Sequence, residues 1–474
     1  MYHRLADIQQ DLTTGSLTLS DLVDSYLARI ESQRYLNLFI ETFDEEARNA
    51  ATFIQAKIEA GEAGRLAGLV LGIKDVLCYR GHALGASSRM LAGFTSQITA
   101  TAIERLLAED AIIIGRQSCD EFAMGSSNET AIHGPARHPV DAAYVPGGSS
   151  GASAAAVAAN LCHASLGSDT GGSVRQPAAY CGSIGLKPTY GRISRWGLIA
   201  YASSFDQIGP ITRSVDDAAL LLEVMAGADE RDHTASRNPV APYLAESQQD
   251  APLTFGVLRE AIDNPALDPE IRTCLTKQVE QLRAAGHAVQ ELPFPLLDYL
   301  VPCYYILTTA EASSNLSRYD GVRYGYRADE AKDLEDLYVR TRSEGFGREV
   351  KRRIMLGSFV LSAGYYDAYY TQAMKVRRLI RDQTQALLRQ CDLLLMPTAP
   401  GTAFRLGEKM DDPIAMYLSD IFTVHANLAG VPAISLPVGQ HSNGLPMGLQ
   451  LMGPAFGEGK LLAGARQLGS AHAS

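Results

Sequence analysis

The segments Pro146-Gly-Gly-Ser149-Ser150-Gly151 and Gly167-Ser168-Asp169-Thr170-Gly171-Gly172-Ser173-Val174-Arg175, with the small residues between them, decide how this chain is read. Two Gly- and Ser-rich loops flank a run of mostly small, apolar side chains. Glycines leave backbone amides uncovered and permit positive φ, and successive exposed N–H groups form an anion-binding concavity. Each loop also carries serines, weak nucleophiles that become strong when a base stands beside them. Three readings fit: tight surface turns joined by a buried helix, a phosphate cradle, or a serine nucleophile with an oxyanion hole. The cradle lacks its signatures, since neither GxGxxG nor GxxxxGK[ST] occurs.

The serine reading needs a base. No histidine lies within either loop, although His138 and His163 are near in sequence. A Ser-Lys pair is a known variant of the triad. Gly72-Ile73-Lys74-Asp75-Val76 follows the apolar run Ala67–Leu71, which puts a lysine at the end of a buried strand. Lysines are seldom fully buried unless paired, and a structural salt bridge is the commoner role for a lone lysine there.

The order of Lys74, GGSSG and DTGGS resembles the amidase signature family. Lys74 and Ser149 are 75 residues apart, and Ser149 and Ser173 are 24 apart; both gaps suit that family's Ser-cisSer-Lys triad. The resemblance implies an α/β amidase signature fold, a central mixed β-sheet with helices on both faces. It implies Ser173 as the nucleophile, Ser149 as the bridging serine after a cis peptide, and Lys74 as the base. The backbone amides of Thr170, Gly171 and Gly172, with Ser173, would then hold the oxyanion.

The composition bounds the rest. With 474 residues the chain exceeds the usual size of a single core, and 46% hydrophobic and 20% charged residues are ordinary for a globular protein. A net charge of −11 argues against a broad nucleic-acid-binding face. The seven cysteines are odd in number and form no CxxC, which fits a reducing cytoplasm. The first residues show no apolar signal core, and no run of eighteen apolar residues predicts a membrane span. No HxxxH or HExxH spacing occurs, so no metal site is expected.

Three segments are expected along the chain: an N-terminal helical layer (1–65), an amidase signature core (66–225), and a C-terminal half (226–474) that completes the sheet and carries a helical insertion at about 265–390. In the first, Ser20 is the expected N-cap of one helix, and Glu41–Ala60 reads as a second helix ending at Gly61. In the core, Leu69–Ile73, Ala111–Gly115 and Ala164–Gly167 read as buried strands, with Thr101–Glu109 and Ser153–Ala159 as helices. This alternation suits a layered α/β sheet with loops at the strand ends. Arg175 and Asp206 read as charged struts for those loops. Residues 226 to 250 read as a surface link, Leu253–Leu258, Leu393–Met396 and Ala433–Val438 as strands, and Pro269–Ala285 as a helix. The tyrosine-rich stretch 300–390 reads as amphipathic helices capping the sheet or as a pocket wall. Residues from Gly469 onward read as a frayed tail.

Further segments resemble one branch of the family, the glutamine-hydrolysing subunits of tRNA-dependent amidotransferases. They include DEFAMGS at 120–126, SDTGGSVRQPAA at 168–179, GLKPTYGR at 185–192, TAEASSNLSRYDGVRYG at 309–325, VKRRIMLG at 350–357, GYYDAYY at 364–370 and DIFTVHANLAGVPAISLP at 420–437. The last four lie outside the shared core and carry the branch assignment. The resemblance implies a glutaminase that passes ammonia to a B subunit, which activates misacylated Glu-tRNA(Gln) or Asp-tRNA(Asn) with ATP and Mg. A small C subunit clamps the two. No cofactor is implied in this chain itself, and tRNA would be contacted mainly through the B subunit. Free glutamine needs a cation for its carboxylate and an anion for its ammonium; the resemblance places Arg353 and Asp420 in those roles, with Tyr304 near the pocket. Ala152 and His133 depart from the branch pattern, where Gly and Phe are usual. Two other functions stay open at this point: a stand-alone amidase acting on another small carboxamide, and a non-catalytic scaffold or nucleotide-binding module.

Overall fold

The computed structural model describes residues 2–470. Eleven strands form one mixed sheet: β1 (Phe39–Thr42), β2 (Val70–Lys74), β3 (Ile112–Gln117), β4 (Ala164–Asp169), β5 (Ile184–Lys187), β6 (Gln207–Thr212), β7 (Thr254–Leu258), β8 (Ala288–Leu292), β9 (Leu393–Pro397), β10 (Ala433–Gln440) and β11 (Pro446–Met452). Their order across the sheet is β1-β3-β2-β4-β6-β5-β10-β11-β9-β7-β8. β2 is parallel to β3 and β4, and β7 to β8 and β9, while the pairs from β4 through β6, β5, β10 and β11 to β9 are antiparallel. The central strands β2, β3, β4 and β9 are buried along their whole length, the pattern expected where helices cover both faces.

One sheet runs through all three expected segments, because β5 of the core pairs with β10 of the C-terminal half. The first 65 residues are not purely helical: Phe39–Thr42 pairs antiparallel with β3 as the edge strand, and the following helix begins only at Asp44. That helix does end at Gly61, in the left-handed conformation at φ 73°. The N-cap of the preceding helix is Thr18, not Ser20; its hydroxyl accepts from the Asp21 amide at 3.1 Å. The insertion at 265–390 is not wholly helical either, since β8 lies within it and pairs in parallel with β7. Of the expected tail, Gly469 still belongs to the helix Glu458–Ser470, and 471–474 lie outside the described residues.

Two features of this sheet position the site. β2 and β4 are parallel neighbours, with Ile73 opposite Leu166, so their C-terminal ends, Lys74 and Ser168-Asp169, emerge side by side. The helix Gly151–Ala158 is built almost entirely of glycine, alanine and serine and is buried along nearly its whole length. Small side chains let its N-terminus approach β4 closely, which carries the Ser149 loop over the strand end.

Candidate active site

Lys74 Nζ is fully buried and lies 2.7 Å from Ser149 Oγ, 2.9 Å from Ser150 Oγ and 2.9 Å from Ser168 Oγ. It has no carboxylate within ion-pair distance among the described residues, so the expected salt bridge is absent. The adjacent Asp75 pairs instead with Arg116 at 2.5 Å. Burial pulls the Lys74 ammonium down to about 8, against the opposing pull of Cys119, Asp120, Asp169 and Asp206. A lysine without an anion, held among hydroxyls and titrating near neutrality, is suited to hold or give up a proton.

The peptide bond between Gly148 and Ser149 is cis. Gln176 fixes this loop: its Oε1 accepts from Gly148 N–H at 3.0 Å, and its Nε2 donates to the Ser126 carbonyl at 2.9 Å. Ser173 lies in the neighbouring turn, and its carbonyl accepts from Ser150 N–H at 3.1 Å. Of Lys74, Ser149 and Ser173, only Ser173 keeps measurable exposure, at 9%. The structure therefore joins Lys74 to Ser149 by a direct hydrogen bond and brings Ser173 alongside through the backbone. No hydrogen bond links the Ser149 and Ser173 hydroxyls among the described residues. Neither nearby histidine serves the serines: His138 bonds the Tyr180 carbonyl, and His163 bonds Asp217.

The turn Thr170–Ser173 is held from three sides. Gly172 N–H donates to Asp169 Oδ1 at 2.9 Å, so this expected oxyanion donor is already engaged. Thr170 Oγ1 donates to Asp206 Oδ1 at 2.7 Å, and Thr423 Oγ1 donates to the Gly171 carbonyl at 2.7 Å. A Cβ on Gly171 would fall 2.4 Å from the Tyr304 ring, and one on Gly172 (φ 131°) would fall 2.2 Å from Thr423 Oγ1. Tyr304 thus roofs the turn.

Both struts expected from the sequence hold loops, by different means. Arg175 is fully buried and binds Asp169 through two contacts of 3.1 Å, Gln450 Oε1 and Asn427 Oδ1 at 2.7 Å, and the Thr423 carbonyl at 2.9 Å. Burial raises the Asp169 carboxyl, but Arg175 and its other partners outweigh that, and the net shift is downward. Asp206 has no cation at ion-pair distance among the described residues; it accepts the Thr170 hydroxyl and the amides of Tyr201 and Ala202, and burial raises its carboxyl to about 6.

Arg353 and Asp420 make no ion pair with each other; Asp420 is tied to the turn through Thr423, whose hydroxyl also lies 3.1 Å from the Asp420 carbonyl. Arg353 is 3% exposed; its Nε donates to Glu349 Oε1 at 2.8 Å and one terminal nitrogen donates to Tyr201 Oη at 2.8 Å. The rings of Tyr201, Tyr305 and Tyr417 surround the guanidinium at 5.3 to 5.5 Å. Two of its five N–H donors are used, which leaves capacity for a carboxylate. Asp420 accepts from Ser126 Oγ at 2.5 Å, and burial raises its carboxyl to about 7, against the pull of Ser126 and Arg353. A cavity of about 170 Å³ opens beside Arg353, lined also by Ser126, Ser127, Glu349 and Tyr417; Asp420, Tyr304 and Ser173 do not line it. Glu121 of the DEFAMGS segment closes its wall by accepting from Gly347 N–H at 2.9 Å, at the start of the helix Arg348–Val360 that carries Arg353.

Sequence reasoning missed Tyr201, Ser126, Glu349 and Thr423. Ser126 lay in a quoted motif, yet nothing in the chain signals its bond to a residue 294 positions away. The two departures from the branch pattern do not disturb the serines: Ala152 is buried with its N–H on Asn128 Oδ1 at 2.9 Å, and His133 is exposed. No group of three or more metal-ligating side chains occurs among the described residues, and no helix there is long and apolar enough to cross a membrane.

Residues 21–462 match the family model described as Amidase. The chain is 50% identical to the A subunit of glutamyl-tRNA(Gln) amidotransferase from Chlorobium phaeobacteroides (strain BS1), over 98% of this chain and 97% of that one. It is 51% identical to the corresponding chain of Chlorobium chlorochromatii (strain CaD3), over 98% of each. Among solved structures, the A subunit of glutamyl-tRNA(Gln) amidotransferase from Thermotoga maritima superposes with a TM-score of 0.78 at 39% identity, covering 95% of this chain and 94% of that one.

Proposed function

The chain belongs to the amidase family, and from that premise we propose that it is the glutamine-hydrolysing A subunit of a tRNA-dependent amidotransferase, supplying ammonia to convert Glu-tRNA(Gln), Asp-tRNA(Asn) or both. Near 50% identity over almost the full length to curated subunits of that name supports the assignment. The observation that carries the chemistry is the buried, unpaired Lys74 at 2.7 Å from Ser149 Oγ.

In the proposed reaction, neutral Lys74 accepts the Ser149 proton as Ser149 accepts that of Ser173. Ser173 Oγ attacks the side-chain amide carbon of glutamine. Charge then develops on the amide oxygen. With the Gly172 amide turned to Asp169, the amides of Thr170, Gly171 and Ser173 are the donors left to meet it; removing one such donor costs roughly 10²–10³ in rate. Ser149 returns its proton to the departing ammonia, and the resulting glutamyl ester is cleaved by water. Arg353 binds the α-carboxylate, Asp420 the α-ammonium, and Tyr304 closes the pocket over the turn.

The companion B subunit would use ATP and Mg on the misacylated tRNA, and a C subunit would join the two in a cytoplasmic heterotrimer. Purified with these companions, the wild-type chain is expected to release ammonia from glutamine. Ser173→Ala should lose on the order of 10⁴-fold or more in that rate with an unchanged melting temperature. Ammonia release retained by that variant would refute Ser173 as the nucleophile. Full activity of the isolated chain on simple amides, with no companion bound, would favour a stand-alone amidase.

A further inference from the structure

Of the motif Gly364-Tyr-Tyr-Asp-Ala-Tyr-Tyr370, Tyr370 is half-buried against the core, while the other three tyrosines are exposed. These tyrosines are expected to cap the core or wall the pocket; Tyr370 caps the core, while the π-helical turn Tyr366–Thr371 fully buries no residue. Tyr365, Tyr366 and Tyr369 are 44%, 45% and 40% exposed, and on the preceding helix Met355 and Phe359 are 72% and 43% exposed. Three of these side chains are grouped: the Phe359 ring lies 4.4 Å from that of Tyr365 and 5.8 Å from that of Tyr369. Monomeric proteins seldom leave contiguous apolar surface uncovered, and Tyr, Phe and Met are the residues that protein interfaces enrich.

The charge around this cluster opposes that of the molecule. Between residues 345 and 390 nine Lys and Arg stand against three Asp and Glu, in a chain of net charge −11. Lys351, Lys375, Arg378 and Arg381 are exposed; the two arginines share one carboxylate, Asp382, at 2.6 and 3.6 Å, and neither lysine has an ion pair among the described residues. An aromatic patch with a cationic rim therefore sits on an anionic protein.

We infer that this face docks a companion protein subunit offering an apolar groove rimmed by aspartate and glutamate. The inference rests on the reading of the chain as one component of an amidotransferase and identifies the surface that reading requires. A second copy of this chain fits poorly, because a two-fold interface would set the cationic segment against itself. A nucleic acid fits poorly as well: Met355 has no ring for a base to stack on, and Asp367 stands among the tyrosines, where phosphates would meet a like charge. The patch also has a mechanical route to the site. Arg353 and Phe359 share the helix Arg348–Val360, about 9 Å apart along its axis, so a partner seated on Phe359 bears on the element that carries Arg353.

The test titrates the purified pair of B and C subunits from the same host with this chain by calorimetry. Phe359→Ser/Tyr365→Ser/Tyr369→Ser removes the aromatic cluster, and Lys375→Glu/Arg378→Glu reverses part of the rim while leaving the cluster intact. The wild type is expected to bind the pair. The triple variant should weaken Kd by roughly thirtyfold or more, and the charge reversal should weaken it and flatten its salt dependence. If the triple variant proves misfolded by its melting curve, the charge reversal decides alone. Wild-type binding with both variants equally tight would overturn the docking surface and leave the amidotransferase reading standing. A wild-type chain that ignores the pair would overturn the amidotransferase reading and this inference with it. Two further results would also overturn the inference: a chain dimer that the triple variant dissociates, and variants that keep the pair but lose tRNA retention.

Discussion

At the scale of single residues, the proposed chemistry depends on two groups held away from their ordinary titration ranges by burial. Lys74 titrates at about 8 and Asp420 at about 7. The base must be neutral, and the neutral fraction of Lys74 rises as pH rises through 8. The ammonium-binding carboxylate must be charged, and Asp420 ionises as pH rises through 7. Both signs agree, so kcat/KM for glutamine should climb between pH 6 and about 9, by up to about tenfold per unit for each limiting group, and level off above. Asp420→Asn should raise KM and remove the lower limb while keeping the upper one. A profile that is flat from pH 6 to 9 in the wild type would rule out both assignments. Arg353→Lys keeps the charge but loses the planar fork and the bonds to Glu349 and Tyr201; KM should rise roughly 10- to 100-fold with a smaller change in kcat. The two loops and Lys74 were legible in the sequence because serines, glycines and a lysine stand there in the order that the amidase signature family shows. Ser126 and Tyr201 were not, because a hydroxyl acquires such a role only from what the fold sets opposite it.

At the scale of elements, strands with continuous apolar runs were legible, and those without were not. β2, β3, β4, β9 and β10 lie within a few residues of their expected positions. β5, β6 and β11 give no such signal: β5 has only four residues, β6 carries a proline beside its glycine, and β11 mixes Gly and Gln with its apolar residues. Part of β1 reads as helix because Glu41 and Thr42 continue the helical pattern that follows, and only pairing with β3 selects the extended form. The element on which the proposed catalysis turns is the Thr170–Ser173 loop, fixed by close packing as much as by hydrogen bonds. Gly172 holds φ 131°, and a Cβ there would meet Thr423 Oγ1 at 2.2 Å. Gly172→Ala should therefore destabilise the protein by about 1–3 kcal/mol and depress kcat more than KM, since the Ser173 hydroxyl and the oxyanion amides move together. Thermal melting beside steady-state kinetics checks this; unchanged kcat would show that the loop tolerates another backbone path.

At the scale of the whole molecule, the site is a joint product of both halves of the chain. Lys74, Ser149 and Ser173 come from the first half, while Arg353, Asp420 and Thr423 come from the second, and β5 pairing with β10 closes the seam. Arg175 bolts the seam from inside by bridging Asp169 to Thr423, Asn427 and Gln450. Arg175→Met should strand the buried Asp169 carboxylate and cost about 3–5 kcal/mol, seen as a lower midpoint in urea; a loss under about 1 kcal/mol would mean that water or a rearranged partner replaces it. The aromatic patch at 359–369 lies on the same second half, so partner docking and substrate binding share one helical layer. The most direct measurement is an acid quench during glutamine turnover by the chain with its companions, followed by peptide mass mapping. A glutamyl ester on the peptide bearing Ser173, absent from Ser173→Ala, is expected. An ester on any other residue, or steady ammonia release from Ser173→Ala, would contradict the serine-lysine mechanism.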